Sequence, residues 1–413
     1  MTQATEQLET VQTRCCIVGG GPAGMMLGFL LARSGVKVVV LEKHKDFLRD
    51  FRGDTIHPST LELLAELGLL PDFLKLPHQE LHAVQVTADG QTVPIADFSH
   101  LPTQCKFIAF MPQWDFLNFL ADKARRYPSF MLRMQTEATD LIEENGLITG
   151  VKATTPTGNL VIKADLVVGT DGRHSIIRQK AVLSVQDFGV PIDVLWMRIP
   201  KDPAIGEQSL GYLRAGQFMV LIDRHDYFQC GFLIPKGQFE TIKQRGLAAL
   251  QADILSLAPF VGEHIKALDS WDQISLLTVK IDRLRRWFRP GLLCIGDAAH
   301  AMSPAGGVGV NLAIQDAVAA ANVLTKPLQL GPAPVAALAR IQRRRLLPVR
   351  VIQAGQIFIH RRLINASSTN PAAFPPFLLW LFRHLPVFRR IPAYLVGMGP
   401  RPEHIKTQVK TPD

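Results

Sequence analysis

What this sequence lacks narrows it first. Its 413 residues hold five cysteines, at positions 15, 16, 105, 230 and 294, and no two stand in Cys-x-x-Cys spacing. A disulfide framework and a metal cluster are therefore not expected, and a reducing, cytoplasmic setting is. Cys15, Cys16 and Cys294 fall in short apolar runs, where cysteine acts as a small hydrophobe. No run approaches the ~20 apolar residues of a membrane span. Residues 1–13 have no apolar signal-peptide core and read as a disordered tail. Acidic residues are outnumbered, 36 against 45 basic, for a net charge of +9. The excess gathers at Arg283–Arg289, Arg340–Arg350 and Arg383–Arg390, not read as interleaved with exposed aromatics and with no nucleic-acid motif. Such runs read as solvated faces, with an anionic membrane surface as the alternative and no nucleic-acid partner.

What is present is a globular chain, 47% apolar and 20% charged, long enough for two or three domains. Its organising stretch is Arg14 to Lys43. Cys15–Val18 reads as a strand buried on both faces, and Gly19, Gly21 and Gly24 follow in Gly-x-Gly-x-x-Gly spacing. Ala23–Ala32 reads as a helix stopped by Gly35, and Val36–Leu41 as a second buried strand ending at Glu42. A tight turn, bare backbone open to a pyrophosphate, close helix–strand packing and an acid for a ribose are what a dinucleotide site needs. The same glycines suit an ordinary turn; the acid at the right distance argues against that.

Two more stations repeat the theme. Asp165–Gly169 is a buried strand closing on Asp171-Gly172-Arg173, with a short helix from Ser175 to Val182. Gly291–Ile295 is another, closing on Gly296-Asp297-Ala298-Ala299-His300. Pro304, Gly306, Gly307 and Gly309 then lead into an Ala-rich helix over Asn311–Leu324, whose N-terminus suits negative charge on a flat heterocycle. A structural turn is the plainer reading of each.

Between these stations the period changes. Glu80–Phe98 alternates around Asp89-Gly90, and Leu141–Thr157 around Asn145-Gly146, both hairpin signals. From Phe188 to Val279 short alternating segments (Val194–Ile199, Gln217–Asp223, Tyr227–Ile234, Ile274–Lys280) enclose a helical insertion at Thr241–Leu257, which predicts an antiparallel second domain. Gln113 starts a helix ending at Ala124, and Ser59 or Thr60 is expected to cap another over Leu61–Leu67. Arg52, a forked cation, suits a phosphate or simply the surface. His57, Arg198, Tyr212 and Arg214 are candidates for the substrate side, each also explicable as structural; no catalytic pair stands out. The Pro-punctuated tail from Gly331 carries apolar and basic residues over Phe374–Phe388, too few to span a bilayer. It suits a docking helix or an interfacial contact.

In series, the three stations resemble the class A FAD-dependent aromatic hydroxylases, of p-hydroxybenzoate-hydroxylase-like fold. Arg52-Gly-Asp-Thr-Ile-His57-Pro58 looks like the polyketide-hydroxylase branch. The resemblance covers about residues 14–325. It implies a Rossmann-like FAD-binding domain of the GR2 type from 14–78, 103–185 and 285–330. It further implies an antiparallel substrate-binding sheet from 79–102 and 186–284, and C-terminal helices from 331–413. Gly19, Gly21, Pro22, Ala23, Gly24, Glu42 and Lys43 would hold the ADP half of FAD; Arg52 and Gln113 its diphosphate and ribityl region. Asp171 would serve the diphosphate indirectly and a visiting NADPH or NADH, Asp297 the ribityl chain. Pro304, Gly307, Gly309, Val310 and Asn311 would face the isoalloxazine. The absence of a second nucleotide fingerprint agrees with a transient nicotinamide.

The implied chemistry is hydride transfer to FAD, O2 addition at flavin C4a as the hydroperoxide, and hydroxylation of an aromatic or polycyclic, quinone-like substrate. A flavin reductase or cyclase acting on an apolar, isoprenoid-like substrate is the alternative, and a non-catalytic flavin-binding or membrane-partner protein a third. A monomer or homodimer is expected, with the C-terminal region as a possible peripheral membrane contact. Two departures stand out. The sequence carries no thioredoxin-like C-terminal domain, and Trp196-Met197-Arg198-Ile199-Pro200 has Arg198 where flavin halogenases place a second Trp, so halogenation is not expected.

Overall fold

The computed structural model describes residues 9–48, 54–206, 208–214, 216–365 and 375–410. Arg52 lies outside them.

The first strand, Glu9–Val18, is continuous and turns wholly buried at Cys15. From Glu9 to Thr13 the polar stretch is therefore strand rather than tail: its backbone pairs in parallel from Glu9↔Leu160 while Val11 packs half-buried against the core and its neighbours stay largely exposed. Around it an eight-stranded sheet runs in the order Phe288–Arg289, Leu292–Cys294, Gly158–Gly169, Glu9–Val18, Val38–Leu41, Phe130–Arg133. The hairpin strands Glu137–Glu144 and Leu147–Thr155 extend from it. All neighbours from Leu292–Cys294 to Phe130–Arg133 are parallel, so their carboxyl ends share one edge. Helices Pro22–Arg33, Gln113–Ala124 and Val308–Leu330 cover this sheet and share its core.

The second sheet has seven strands, ordered Ser275–Leu277, Ile192–Pro200, Tyr227–Pro235, Gln217–Asp223, Gly211–Arg214, Ala83–Ala88, Gln91–Asp97. One pairing departs from the antiparallel expectation: Gly211–Arg214 runs parallel to Ala83–Ala88 and joins the early hairpin to the later meander. Asp89-Gly90 and Asn145-Gly146 adopt positive φ at both central positions, the turn that matches strand twist. Gln79–Leu81 pairs instead with Ile108–Phe110, in a three-stranded ribbon with Thr55–Ile56. The helical insertion breaks at Gly246 (φ 88°) into Phe239–Arg245 and Leu247–Leu257.

Helix Val308–Leu330 begins three residues earlier than expected and runs past Pro327. With the preceding turn, Ala305–Leu330 is long and apolar enough to cross a membrane, unlike what composition suggested, yet most of it is buried in the fold. Beyond it come helices Val335–Asn365, Pro376–His384 and Val387–Gly397. The final stretch returns to the first sheet's helices: Lys410 N donates to Arg33 O at 3.0 Å and Ile405 N to Glu66 Oε2 at 2.7 Å.

Candidate functional site

The three acid-and-glycine corners meet at the carboxyl edge of the parallel strands. Thr170 Oγ1, at the end of one strand, donates to Val18 O (2.9 Å) and Gly19 O (2.8 Å) of the next. A Cβ on Gly24 would lie 2.0 Å from Gly19 O and 2.7 Å from Thr170 Oγ1, so only glycine lets the first helix seat here. A Cβ on Gly296 would fall 3.3 Å from the Ala23 methyl and 3.2 Å from that of Ala313. The first helix, the Gly296–His300 turn and the second glycine-rich helix therefore touch at one point.

Two helix N-termini open onto this edge. Gly21 caps Pro22–Arg33 without a side-chain bond, no acid stands in its first turn, and a Cβ there would meet nothing within 4 Å. Gly307 (φ 64°) caps Val308–Leu330 in the same way, and a Cβ there would strike Thr55 Oγ1 at 2.3 Å. Each presents backbone N–H groups and a positive dipole end to an anion. Glu42, 9% exposed, is fixed by Gly20 N (3.0 Å) and His44 N (3.1 Å) at the end of Val38–Leu41. Asp297 is half-buried between the two termini, Lys43 is exposed beyond Glu42, and Gln113 begins its helix half-buried. Pro304 is exposed at the loop tip, with Gly309 and Val310 half-buried in the helix's first turn. Two uncapped helix starts with acids between them fit an elongated dinucleotide carrying a diphosphate and polyhydroxyl chains. Among the described residues no cluster of His, Cys, Asp or Glu suits a metal ion.

Several candidates are already engaged. Asp171 accepts from Ser175 Oγ (2.6 Å) and Ile177 N (3.1 Å), ordering the turn beneath the site. Burial raises its carboxyl above the ordinary range against those bonds. Asn311 is buried, its Oδ1 accepting from Ser59 Oγ (2.7 Å) and Thr60 Oγ1 (2.8 Å). Ser59 and Thr60 are thus not caps: His57 occupies the cap position of Pro58–Glu66, and the hydroxyls tie that helix to the second glycine-rich one. His57 itself is fully buried, Nδ1 2.8 Å from Val396 O, and burial pushes it down to about 4 despite the carbonyls of Val396 and Gly307. That is an anchor for the last helix rather than a group meeting substrate. On the second sheet, Arg214 reaches Ser256 O (3.0 Å) beside Tyr212 in a cleft of about 370 Å³. Arg198 lines a different cleft of about 240 Å³, its guanidinium 5.2 Å from the Tyr227 ring centre.

Two clusters escaped the sequence reading. Behind Gly296-Asp297, the carboxylate of Asp316 accepts from Gly296 N (3.1 Å) and Arg345 Nε (2.8 Å), and lies 2.5 Å from His300 Nε2. Arg345, 1% exposed, also reaches Glu403 at 3.3 Å. Burial would raise the Asp316 carboxyl, but the His300 and Arg345 charges outweigh it and hold it below the usual range. One signal was visible: a lone acid in an Ala-rich helix needs a buried cation. The Arg340–Arg350 run is therefore not wholly a solvated face. Nor is Arg283–Arg289, where Trp287 is buried and Arg283 Nη1 donates to Gln353 Oε1 at 2.8 Å. The second cluster joins Asp54, Arg224 and Gln229 across the sheets, a contact that no local spacing foretells.

Comparison with known proteins agrees with this geometry. A family profile described as "FAD binding domain" matches residues 12–353. The chain is 33% identical over 389 residues to 6-methylpretetramide 4-monooxygenase of Streptomyces rimosus, covering 92% of this chain and 91% of that one. It is 26% identical to dialkyldecalin synthase of Streptomyces rugosporus over 73% of its length, spanning 63% of that longer protein. Among solved structures, p-nitrophenol 4-monooxygenase of Pseudomonas putida DLL-E4 superposes with a TM-score of 0.79 at 20% identity, over 95% of this chain and all of that one.

Proposed function

This chain belongs to the family of FAD-dependent aromatic hydroxylases, and from that premise we propose that it hydroxylates a polycyclic phenolic or quinone-like ring with O2 and NAD(P)H. It is an FAD-dependent monooxygenase by kinship. The ring class is our reading, supported by the relative named for a pretetramide and by an aromatic-lined cleft between the sheets. The observation that carries the reading is the meeting of three acid-and-glycine corners at one sheet edge, with two uncapped helix starts facing the gap.

In this reading Gly19–Gly24 and the first helix's N–H groups hold the diphosphate, and Glu42 the adenosine ribose. Asp297 takes the ribityl hydroxyls. The amides of Val308–Asn311 accept negative charge on the isoalloxazine edge, while the Asn311 side chain fixes that helix in place. FAD, when bound, supplies the redox chemistry, taking a hydride from NAD(P)H and activating O2 for transfer of one oxygen atom. The chain's own part is to orient the ring and to exclude water.

The test is NADPH oxidation by the FAD-loaded protein with a panel of hydroxylated naphthalenes and anthraquinones under labelled O2. One labelled oxygen in the product is expected; background NADPH consumption with no oxygenated product overturns the reading. The kinship to dialkyldecalin synthase favours one alternative, a cyclase on the same fold. A product formed without O2 and NADPH would select it.

We place the enzyme in the cytoplasm, as a monomer or homodimer with a peripheral hold on anionic membrane. Phe377 (67% exposed), Trp380 (50%) and Ile391 (61%) stand outward on the last two helices, beside Arg383 and Arg390. Exposed aromatics flanked by arginines match an acidic lipid interface.

A further inference from the structure

One face of helix Val335–Asn365 grips the segment that leads into the second glycine-rich helix. Gln353, Gln356 and His360 recur at i, i+3 and i+7, which places them on that face, and all three are buried. Gln356 pairs with Ser303 as a neighbouring strand would. Its Oε1 accepts from Ser303 N at 3.1 Å and its Nε2 donates to Ser303 O at 3.0 Å. The same Nε2 also donates to Ala305 O at 2.9 Å. One turn earlier, Gln353 Nε2 donates to Ala301 O (3.1 Å) and Asp282 O (2.8 Å), while its Oε1 accepts from Arg283. Neither amide can be flipped without setting oxygen against oxygen. His360 Nε2 lies 3.1 Å from Ser303 Oγ, which also accepts from Ala305 N at 3.2 Å. Burial pushes His360 down to about 4, so no charge stands behind the segment at neutral pH.

The segment alternates as a strand does. Ala301 and Ser303 are buried against the helix, Met302 is half-buried and Pro304 is exposed. The carbonyls of Ala301, Ser303 and Ala305 are all turned to the two amides, and Pro304 O is taken by Gly307 N at 2.9 Å. An apolar residue would fill either glutamine's place with less desolvation, so what the amides add is direction. A carbonyl oxygen is the negative end of its peptide dipole. Bonded in this way, these oxygens do not oppose the positive end that Val308–Leu330 presents at the sheet edge. Released, they are free to turn toward that edge and subtract from it.

We propose that Gln353, Gln356 and His360 are positioning residues that raise the reduction potential of the bound flavin, by holding the carbonyls of Ala301–Ala305 away from its ring. This rests on the FAD-dependent reading and deepens it. Hydride transfer moves two electrons and one proton from NAD(P)H, which is oxidised, to the flavin, which is left with one negative charge. The fewer carbonyl oxygens face that charge, the more stable the reduced form. The three side chains act through the segment rather than on the cofactor.

The test is an anaerobic redox equilibrium of the FAD-loaded protein against a two-electron dye of known potential. Gln356→Met keeps the volume and removes the amide that turns Ser303 O and Ala305 O. At a fixed dye ratio, its ratio of reduced to oxidised flavin should be about tenfold below wild type, a potential about 30 mV lower. Gln353→Met should show a smaller fall in the same direction, because Ala301 O keeps a bond from Asp282 N at 3.3 Å. Both gaps should hold from about pH 6 to pH 8, where His360 stays neutral. Gln342, on the same helix, accepts from Trp287 N and donates to Arg285 O instead. Gln342→Met should lower the melting point yet leave the flavin ratio at the wild-type value. In the FAD-free protein, amide exchange over residues 301–307 should quicken in Gln356→Met and not in Gln342→Met. Ratios within about twofold of wild type for both Gln356→Met and Gln353→Met, or an equal fall in Gln342→Met, overturn the proposal. Where Gln356→Met does not fold, Gln353→Met decides alone. Wild-type protein that holds no FAD overturns the broader reading; FAD held with unchanged ratios overturns only this inference.

Discussion

Replacing Asp316 with Asn tests the buried charge cluster behind the Gly296–His300 turn. The substitution keeps volume and removes the charge that faces Arg345 and His300. Breaking a buried pair from one side costs about 3–5 kcal/mol. Arg345 keeps Glu403 at 3.3 Å, which argues for the lower end, about 3 kcal/mol. At about 2.1 cal/mol/K per residue, 413 residues unfold with an entropy of about 0.9 kcal/mol/K, so the midpoint should fall by about 3–4 °C. Scanning calorimetry of the FAD-free protein at neutral pH measures it. The carboxyl of Asp316 sits below its ordinary range, so its contribution is complete above about pH 4 and is lost as pH falls through the lower folded value. The gap between wild type and variant should close in acid. The double variant Asp316→Asn with Arg345→Met should recover much of the loss, since the buried guanidinium that lost its partner is removed too and Glu403 keeps Arg344 at 2.6 Å. A drop under about 1 °C, or a double variant showing the sum of both losses, would refute the reasoning.

Other outcomes follow from the same geometry. Gly21→Ala should leave the FAD-free protein melting within about 1 kcal/mol of wild type, since its Cβ meets nothing, yet weaken FAD about tenfold or more by fluorescence titration. Gly24→Ala should lower both FAD affinity and the melting point, because its Cβ lands 2.0 Å from Gly19 O. All five thiols are buried, and burial pushes that of Cys16 up to about 12, so the native protein should be silent to a thiol reagent until denaturant is added. Trp380→Ser with Ile391→Ser should abolish flotation with phosphatidylglycerol vesicles while FAD content holds; unchanged flotation would sink the membrane contact.

Local patterns made the first sheet legible. Buried strands followed by glycine and an acid announce themselves because each needs a run of apolar residues and a special turn, and the helix at Gln113 was placed to the residue. Asp89-Gly90 and Asn145-Gly146 were readable for the same reason: two left-handed positions leave few residue choices. What stayed hidden depends on partners far along the chain. Nothing near Asp316 names Arg345, and nothing near Asp54 names Arg224. His57 looked available only because its partner carbonyl, Val396, arrives from the other end of the sequence.

The parallel seam between Gly211–Arg214 and Ala83–Ala88 sets a timetable for folding. The early hairpin leaves the ribosome long before the strand that covers its edge exists. Until then it exposes unpaired backbone that another nascent chain can recruit. Slowing synthesis ahead of residue 211, or supplying a chaperone that shields open strand edges, should therefore change the yield of native protein more than any surface substitution.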